Sequence, residues 1–192
     1  MTHVLEHAGP GPVYLYATPN GRPLYEKVGF ATADGMTTYV GRFAQSAGAP
    51  SSRPARDDDM PAILALDAEV FGADRRDLVA RLPAFAEQAR VLERDGAIAG
   101  YAAAWRNIET VVIGPVIARD LGDAQTLIAD LAAAAPGERL RLDVDHRHAG
   151  LRAWIEQRGV PAAFDTSLMV RGGRELPGDR GRLFLPLMQA LG

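Results

Sequence analysis

The sequence predicts an α/β chain built on a mixed, mostly antiparallel sheet with helices on both sides. Three observations predict it. Alternating apolar runs at Val13, Leu15, Ala17 and at Leu140, Leu142, Val144 read as half-buried strands. Asp95-Gly96, set between two strand-like stretches, is the pair favoured in a two-residue hairpin turn, which makes its neighbours antiparallel. Segments at helical spacing alternate with these strands, notably Ala124, Leu127, Ile128, Leu131 and later Leu151, Trp154, Ile155.

At 192 residues the chain allows one large domain or one and a half small ones. It is 47% hydrophobic and 23% charged, as ordinary soluble globular proteins are. A net charge of −3 supplies no phosphate-neutralising excess, so a general nucleic-acid binder is not expected. With no cysteine, disulfides, thiolate zinc sites and cysteine nucleophiles are excluded. No apolar run approaches the length of a membrane span, and residues 1–12 carry no charged-then-apolar leader. The expectation is a cytoplasmic protein without membrane contact. Lys27 is the only lysine among the basic residues, a sign of coding bias.

Residues 1–12 are too short for a core, and Gly9 to Pro12 break the chain before the first strand. Pro19, Asn20 and Gly21 end that strand, Leu24, Tyr25 and Val28 follow at helical spacing, and Gly29 stops the helix. Asp34-Gly35 is a turn pair, and Met36 to Phe43 is rich in β-branched and aromatic residues, as strands are. Residues 44–56 are small and Pro-containing, a linker. Asp57, Asp58 and Asp59 offer helix caps ahead of Ile63, Leu66 and Val70, a commoner use of adjacent carboxylates than metal binding. A second helix carries Leu78, Leu82 and Phe85 until Pro83 kinks or ends it. The hairpin spans 88–106. Residues 108–118 are almost wholly apolar and therefore central, and Pro115, which cannot donate a ladder hydrogen bond, makes that strand bulge or splay. The helix after it ends at Pro136-Gly137, and Gly159 stops the helix of Leu151, Trp154 and Ile155. A strand over 164–170 and an apolar tail docked on the sheet or on a partner complete the chain.

The ends of the two halves share one plan: strand, helix, glycine, strand. With Gly29 laid on Gly159, Val40 falls on Val170 and Tyr25 on Ile155. Two related units in tandem follow from this repeat.

Ala17-Thr18 followed by Leu24-Tyr25-Glu26-Lys27-Val28-Gly29-Phe30 resembles the end of an acetyltransferase domain of the GNAT superfamily. The resemblance implies that Tyr25 protonates the departing coenzyme A thiolate and that Thr18 contacts the cofactor, where many members have asparagine. It also implies that the irregular strand opens a slot for the pantetheine arm beside Val116, Ile117 and Ala118. Arg119-Asp120-Leu121-Gly122-Asp123-Ala124 satisfies the superfamily's pyrophosphate-loop pattern, which carries cofactor binding to Arg119, Gly122, Asp123 and Ala124. A glycine there lets the backbone approach, and free N–H groups at a helix N-terminus hold an anion. Asp120 and Asp123 oppose this by placing two carboxylates where the diphosphate would lie.

The strings Ile113–Ala118 and Gln189–Gly192 resemble those of tandem GNAT proteins with a divergent second domain. That resemblance divides the chain into the C-terminal half of a GNAT domain (1–43), a linker (44–56), a second GNAT-like domain (57–172) and a tail (173–192). The front half of the first domain is then missing, through an upstream start or strands borrowed from another chain, and a homodimer is one way to supply them. The implied reaction is direct transfer of an acetyl group from acetyl-CoA to an amine, which suits a chain without a thiol to carry the acyl group. The competing expectation is a degenerate module that binds a ligand or dimerises; the missing front half, Ile155 and the two loop aspartates point that way. Asp143, Asp145, His146 and His148 group metal-capable side chains, but a strand turns Asp143 and His146 to opposite faces and no distant ligand joins them, so no metal is expected. Asp145 is expected to cap the following helix, and Asp143 is a candidate general base.

Overall fold

A computed structural model describes residues 11–44, 49–173 and 175–190. It contains the strands β1 (Val13–Ala17), β2 (Ala31–Gly41), β3 (Arg53–Pro54), β4 (Ala86–Arg94), β5 (Ala97–Arg106), β6 (Val111–Ile117), β7 (Leu140–Asp145), β8 (Ala162–Arg171) and β9 (Leu183–Leu185). The helices are α1 (Arg22–Lys27), α2 (Met60–Phe71), α3 (Arg76–Val79), α4 (Leu82–Phe85), α5 (Leu121–Ala133) and α6 (Ala149–Gln157). Eight strands form one sheet in the order β1-β8-β2-β7-β6-β5-β4-β3, and β9 pairs with β6. Every pairing is antiparallel except that of β6 with β7.

Local chemistry accounts for several elements. Asp95 (φ 53°) and Gly96 (φ 77°) both take the left-handed backbone of a type I′ turn, so Arg94 closes on Ala97 as the hairpin chemistry requires. Opposite Ala102 and Ala104 the partners on β6 jump from Val116 to Ile113, so the irregularity expected of β6 falls on Gly114-Pro115. The aspartate run forms a short 3₁₀ turn in which Asp59 accepts from the Arg56 N–H at 2.7 Å. The helix expected around Leu78 to Phe85 divides into α3 and α4, with Pro83 in the first turn of α4, where its missing N–H costs nothing.

Alternation along the strands assigns the two faces. On one, Tyr39, Leu142 and Val144 pack with Leu127, Ile128 and Leu131 of α5 and Leu151 and Ile155 of α6, and Ala17, Phe30 and Met169 pack beneath α1. On the other, Tyr101, Ala103 and Ile117 pack against α2 to α4 and against Leu183 and Leu187.

Two boundaries differ from expectation. Arg53–Pro54, inside the expected linker, form the sheet's far edge, and the residues before them are held too: both Ser51 and Ser52 N–H groups donate to Asp130 and buried Arg90 holds Ser52. Residues 13–41 do not stand apart from the rest, because β2 lies between β7 and β8. Register between distant strands has no local signature, so neither placement was written in composition.

Met36 lies directly opposite Thr166 at the centre of the β2·β8 ladder. About that point the sheet is pseudo-two-fold: the pair Val13–Arg171 in β1·β8 matches Leu140–Gly41 in β7·β2, and Ala17–Ser167 matches Val144–Thr37. Helix α1 corresponds to α6, six residues against nine, and each is followed by a glycine of positive φ, Gly29 and Gly159.

Candidate active site

Two places in this fold are equivalent, and they differ in what fills them. The first lies at the end of β1. Thr18 is exposed; its carbonyl accepts from Gly21 and Arg22 at 3.0 Å and its hydroxyl from Gly21 at 3.2 Å, holding the turn into α1. Tyr25 is half-buried on α1, its ring edge-on to Phe30, and its hydroxyl has no hydrogen-bond partner among the described residues. A Cβ on Gly21 would meet the Thr18 hydroxyl at 3.3 Å and the Tyr25 ring at 3.5 Å, so the two candidate residues flank the same glycine. On the opposite face of β1 a groove of about 530 Å³ runs between Tyr14, Tyr16 and Thr18 on one side and Arg141, Met188 and Gln189 on the other. Burial, reinforced by the nearby Asp145 carboxylate, pushes the Tyr16 phenol up, so it remains a neutral donor in this groove.

The second place is the wedge between β6 and β7. These parallel strands pair only at Val111–Leu140 and Val112–Arg141 and then diverge. The wedge is filled by the C-terminal segment. Leu185 pairs with Val116 and Leu183 with Ile117, and the Ala118 N–H donates to the Arg182 carbonyl at 3.1 Å. The His148 ring bonds the Leu183 carbonyl at 2.8 Å through Nε2, which must carry the proton, and stacks on Phe184. Gln189 donates its N–H to Asp143 at 3.0 Å and its side-chain amide to Thr166 at 2.7 Å. A Cβ on Gly114 would sit 2.2 Å from the Pro186 carbonyl, so only glycine admits this segment.

The residues expected to bind cofactor here are thus engaged by the protein itself. Val116, Ile117 and Ala118 are fully buried beneath or beside the tail. Asp120 caps α5 by accepting from the Asp123 N–H at 3.0 Å, taking a donor that an anion would need. Asp123 is buried and paired with Arg94 at 2.6 Å, Ala124 is packed in the core, and Arg119 is exposed beside Asp120 at 3.3 Å. Gly122 stands in the first turn of α5.

The expectations for Asp143 and Asp145 differ from the structure. Asp143 is not available as a base: it is 2% exposed and accepts from Thr38 (2.7 Å), Arg141 (3.0 Å) and Gln189. Asp145 accepts from the Arg147 N–H at 3.0 Å, but the residue at the N-cap of α6 is His148. Among the described residues no group of three metal-capable side chains converges. Two polar clusters carried no sequence signal. Thr37 donates to Asp165 at 2.5 Å and touches His146 at 3.0 Å, and that hydroxyl holds the Asp165 carboxyl low. Asp67 is buried between Arg75, which it meets at 2.8 Å, and the Tyr101 hydroxyl. A largely apolar cavity of about 360 Å³ beside Met60, Ile63 and Leu82 lies toward the other edge of the sheet.

Comparison with known proteins agrees with this fold. A family profile described as "Acetyltransferase (GNAT) domain" matches residues 63–185, and the chain belongs to that family. The uncharacterised N-acetyltransferase YitH of Bacillus subtilis is 29% identical over 94% of this chain, which spans 64% of YitH's length. A proposed acetyltransferase from Pyrococcus horikoshii superposes on 100% of this chain and 64% of its own with a TM-score of 0.78 at 18% identity. A GCN5-related N-acetyltransferase from Sphaerobacter thermophilus superposes on 83% of this chain and 59% of its own, with a TM-score of 0.57 at 18% identity. No helix among the described residues is long and apolar enough to cross a membrane.

Proposed function

We propose that this chain serves acetyl transfer from acetyl-CoA to an amine, at the end of β1 rather than in the wedge between β6 and β7. It does so as part of a tandem arrangement of two GNAT-like units, the first represented by its C-terminal half. The supporting observation is the contrast between two equivalent places. One is filled by the protein's own tail and presents Ile155; the other has no such plug among the described residues and presents Tyr25.

In this reading the thioester lies along the β1 edge. The groove of Tyr14, Tyr16 and Gln189 brings the amine from one face of the sheet, and α1 brings Tyr25 from the other. The amine nitrogen attacks the thioester carbonyl carbon. As the C–N bond forms and the C–S bond breaks, the departing thiolate takes the Tyr25 phenolic proton, the amine's surplus proton passes to solvent, and solvent returns a proton to the Tyr25 phenolate. When bound, acetyl-CoA supplies the activated acyl group; Thr18 is the side chain placed to meet it.

The test is thiol release from acetyl-CoA over a panel of primary amines. Tyr25→Phe is expected to lower kcat about 100-fold, the lower end of a general acid's contribution, with KM for acetyl-CoA unchanged. Gly122→Glu is expected to change neither. Activity lost in the Gly122 variant and kept in the Tyr25 variant would place the chemistry in the other wedge.

A further inference from the structure

We propose that the cavity between α2, α4 and β4 binds a free α-amino acid with a large apolar side chain, held by Arg56 and Asp57 at the mouth. The site goes beyond the transferase reading and lies far from the residues of that reading: β8, β2, β7, β6 and β5 stand between β1 and β4. The cavity exists because β3 is short. That strand pairs only with Arg90 and Val91, and Ala55 adds one bond from its N–H to the Ala89 carbonyl at 2.9 Å. The chain then turns away through Asp57–Asp59. Residues 86–88 of β4 are left without an outer strand among the described residues, and the space between them and the two helices stays open.

The lining combines an apolar interior with a charged mouth. Met60 and Ile63 of α2, Leu82 and Pro83 of α4 and the Tyr101 ring supply the interior, and the Tyr101 hydroxyl is already given to Asp67. A volume of about 360 Å³ is at the small end of ligand pockets, which suits a single side chain such as that of leucine, phenylalanine or tryptophan. The charged residues of the lining are Arg56, Asp57, Glu87 and Arg90. Arg90 is buried and bound through Nε to the Ser52 hydroxyl at 2.7 Å, and Glu87 is paired with Arg106 at 2.7 Å. Arg56 and Asp57 are left, both exposed and neither in an ion pair among the described residues. An apolar interior cannot hold an ionised group, so a ligand's charged end stays at the mouth. One cation beside one anion there matches a zwitterion, its carboxylate toward Arg56, its ammonium toward Asp57 and its side chain inward. A simple acid or a simple amine would leave one of the two charges unused.

The probe is L-phenylalanine, titrated calorimetrically into the intact 192-residue chain. L-serine, 3-phenylpropanoate (which lacks the ammonium) and phenethylamine (which lacks the carboxylate) are the comparisons. Expected are saturable binding of phenylalanine at millimolar concentration, no binding of serine, and binding of the two analogues about threefold weaker, the scale of an exposed charge pair. Asp57→Asn should weaken phenylalanine and phenethylamine about threefold and leave 3-phenylpropanoate unchanged. Arg56→Gln should weaken phenylalanine and 3-phenylpropanoate and leave phenethylamine unchanged. Ala89→Phe, which fills the cavity from β4, should abolish binding, and Tyr25→Phe should not alter it. Serine bound as well as phenylalanine, or either analogue bound as tightly, would overturn the proposal. So would the absence of binding by phenylalanine, leucine and tryptophan at millimolar concentration, and none of these arms depends on a variant that folds. Weakening by Tyr25→Phe with none by Ala89→Phe would overturn it too, because the amino acid would then be bound as an acceptor at the β1 end.

Discussion

Tyr25 and Asp67 are polar groups in contrasting surroundings, one half-buried and one buried. The Tyr25 ring packs on Phe30 while its hydroxyl faces away from any described partner, which is what a proton donor to a bound ligand needs. Asp67 is 2% exposed and wholly engaged: Arg75 meets it through two 2.8 Å hydrogen bonds, the Tyr101 hydroxyl donates to it, and Arg75 and Arg180 each stack on the Phe71 ring at 3.9 Å. Burial and the Asp67 charge drive the Tyr101 phenol well above its usual range, so it stays protonated and donating. Removing one member of such a cluster leaves charge buried without its counterpart. Asp67→Ala is therefore expected to cost about 3–5 kcal/mol of stability in urea denaturation, with little effect on the β1 site. A loss under 1 kcal/mol would show that the cluster contributes no net stability.

At the scale of elements, the tail fills the wedge between β6 and β7. Burying Leu183, Phe184, Leu185 and Leu187 is worth about 1.5–3 kcal/mol each. A ligand at a hundred times its Kd contributes only about 2.7 kcal/mol, too little to displace them. Gly114→Ala is expected to destabilise the chain, because its Cβ cannot coexist with the Pro186 carbonyl, and to speed amide exchange over 183–189. The His148 latch adds a pH dependence. Burial lowers its pKa below the unfolded value of about 6.5, so the unfolded chain takes up the proton first. The stability held in the neutral ring is present above about pH 6.5 and is lost as pH falls below it. Exchange over 183–189, corrected for intrinsic rates, should rise from pH 7 to pH 5, and His148→Gln should flatten that rise.

The hairpin, the irregularity at Pro115 and the stop at Gly159 were legible because each rests on chemistry within a few residues. The tail's docking was legible in its apolar composition, but its seat was not. The fit of Leu183 to Leu185 against β6 depends on Gly114 and His148, far away in sequence. Tyr25 and Thr18 stood out because their motif is continuous. The expected cofactor loop satisfied its pattern, yet nothing in the pattern shows that Asp120 uses the helix N–H, that Asp123 pairs with Arg94, or that Gln189 takes Asp143.

For the whole molecule, β2 lies between β7 and β8 in one sheet, and the pseudo-two-fold makes the end of β1 comparable with the end of β7. The central claim is that acetyl-CoA belongs to the β1 end and not to the plugged wedge. The most direct measurement is an exchange footprint of the 192-residue chain with millimolar acetyl-CoA. The account predicts slowed exchange at Thr18 to Tyr25, with 116–124 and 183–189 unchanged. Slowed exchange over 116–124, with the tail released to faster exchange, would contradict it.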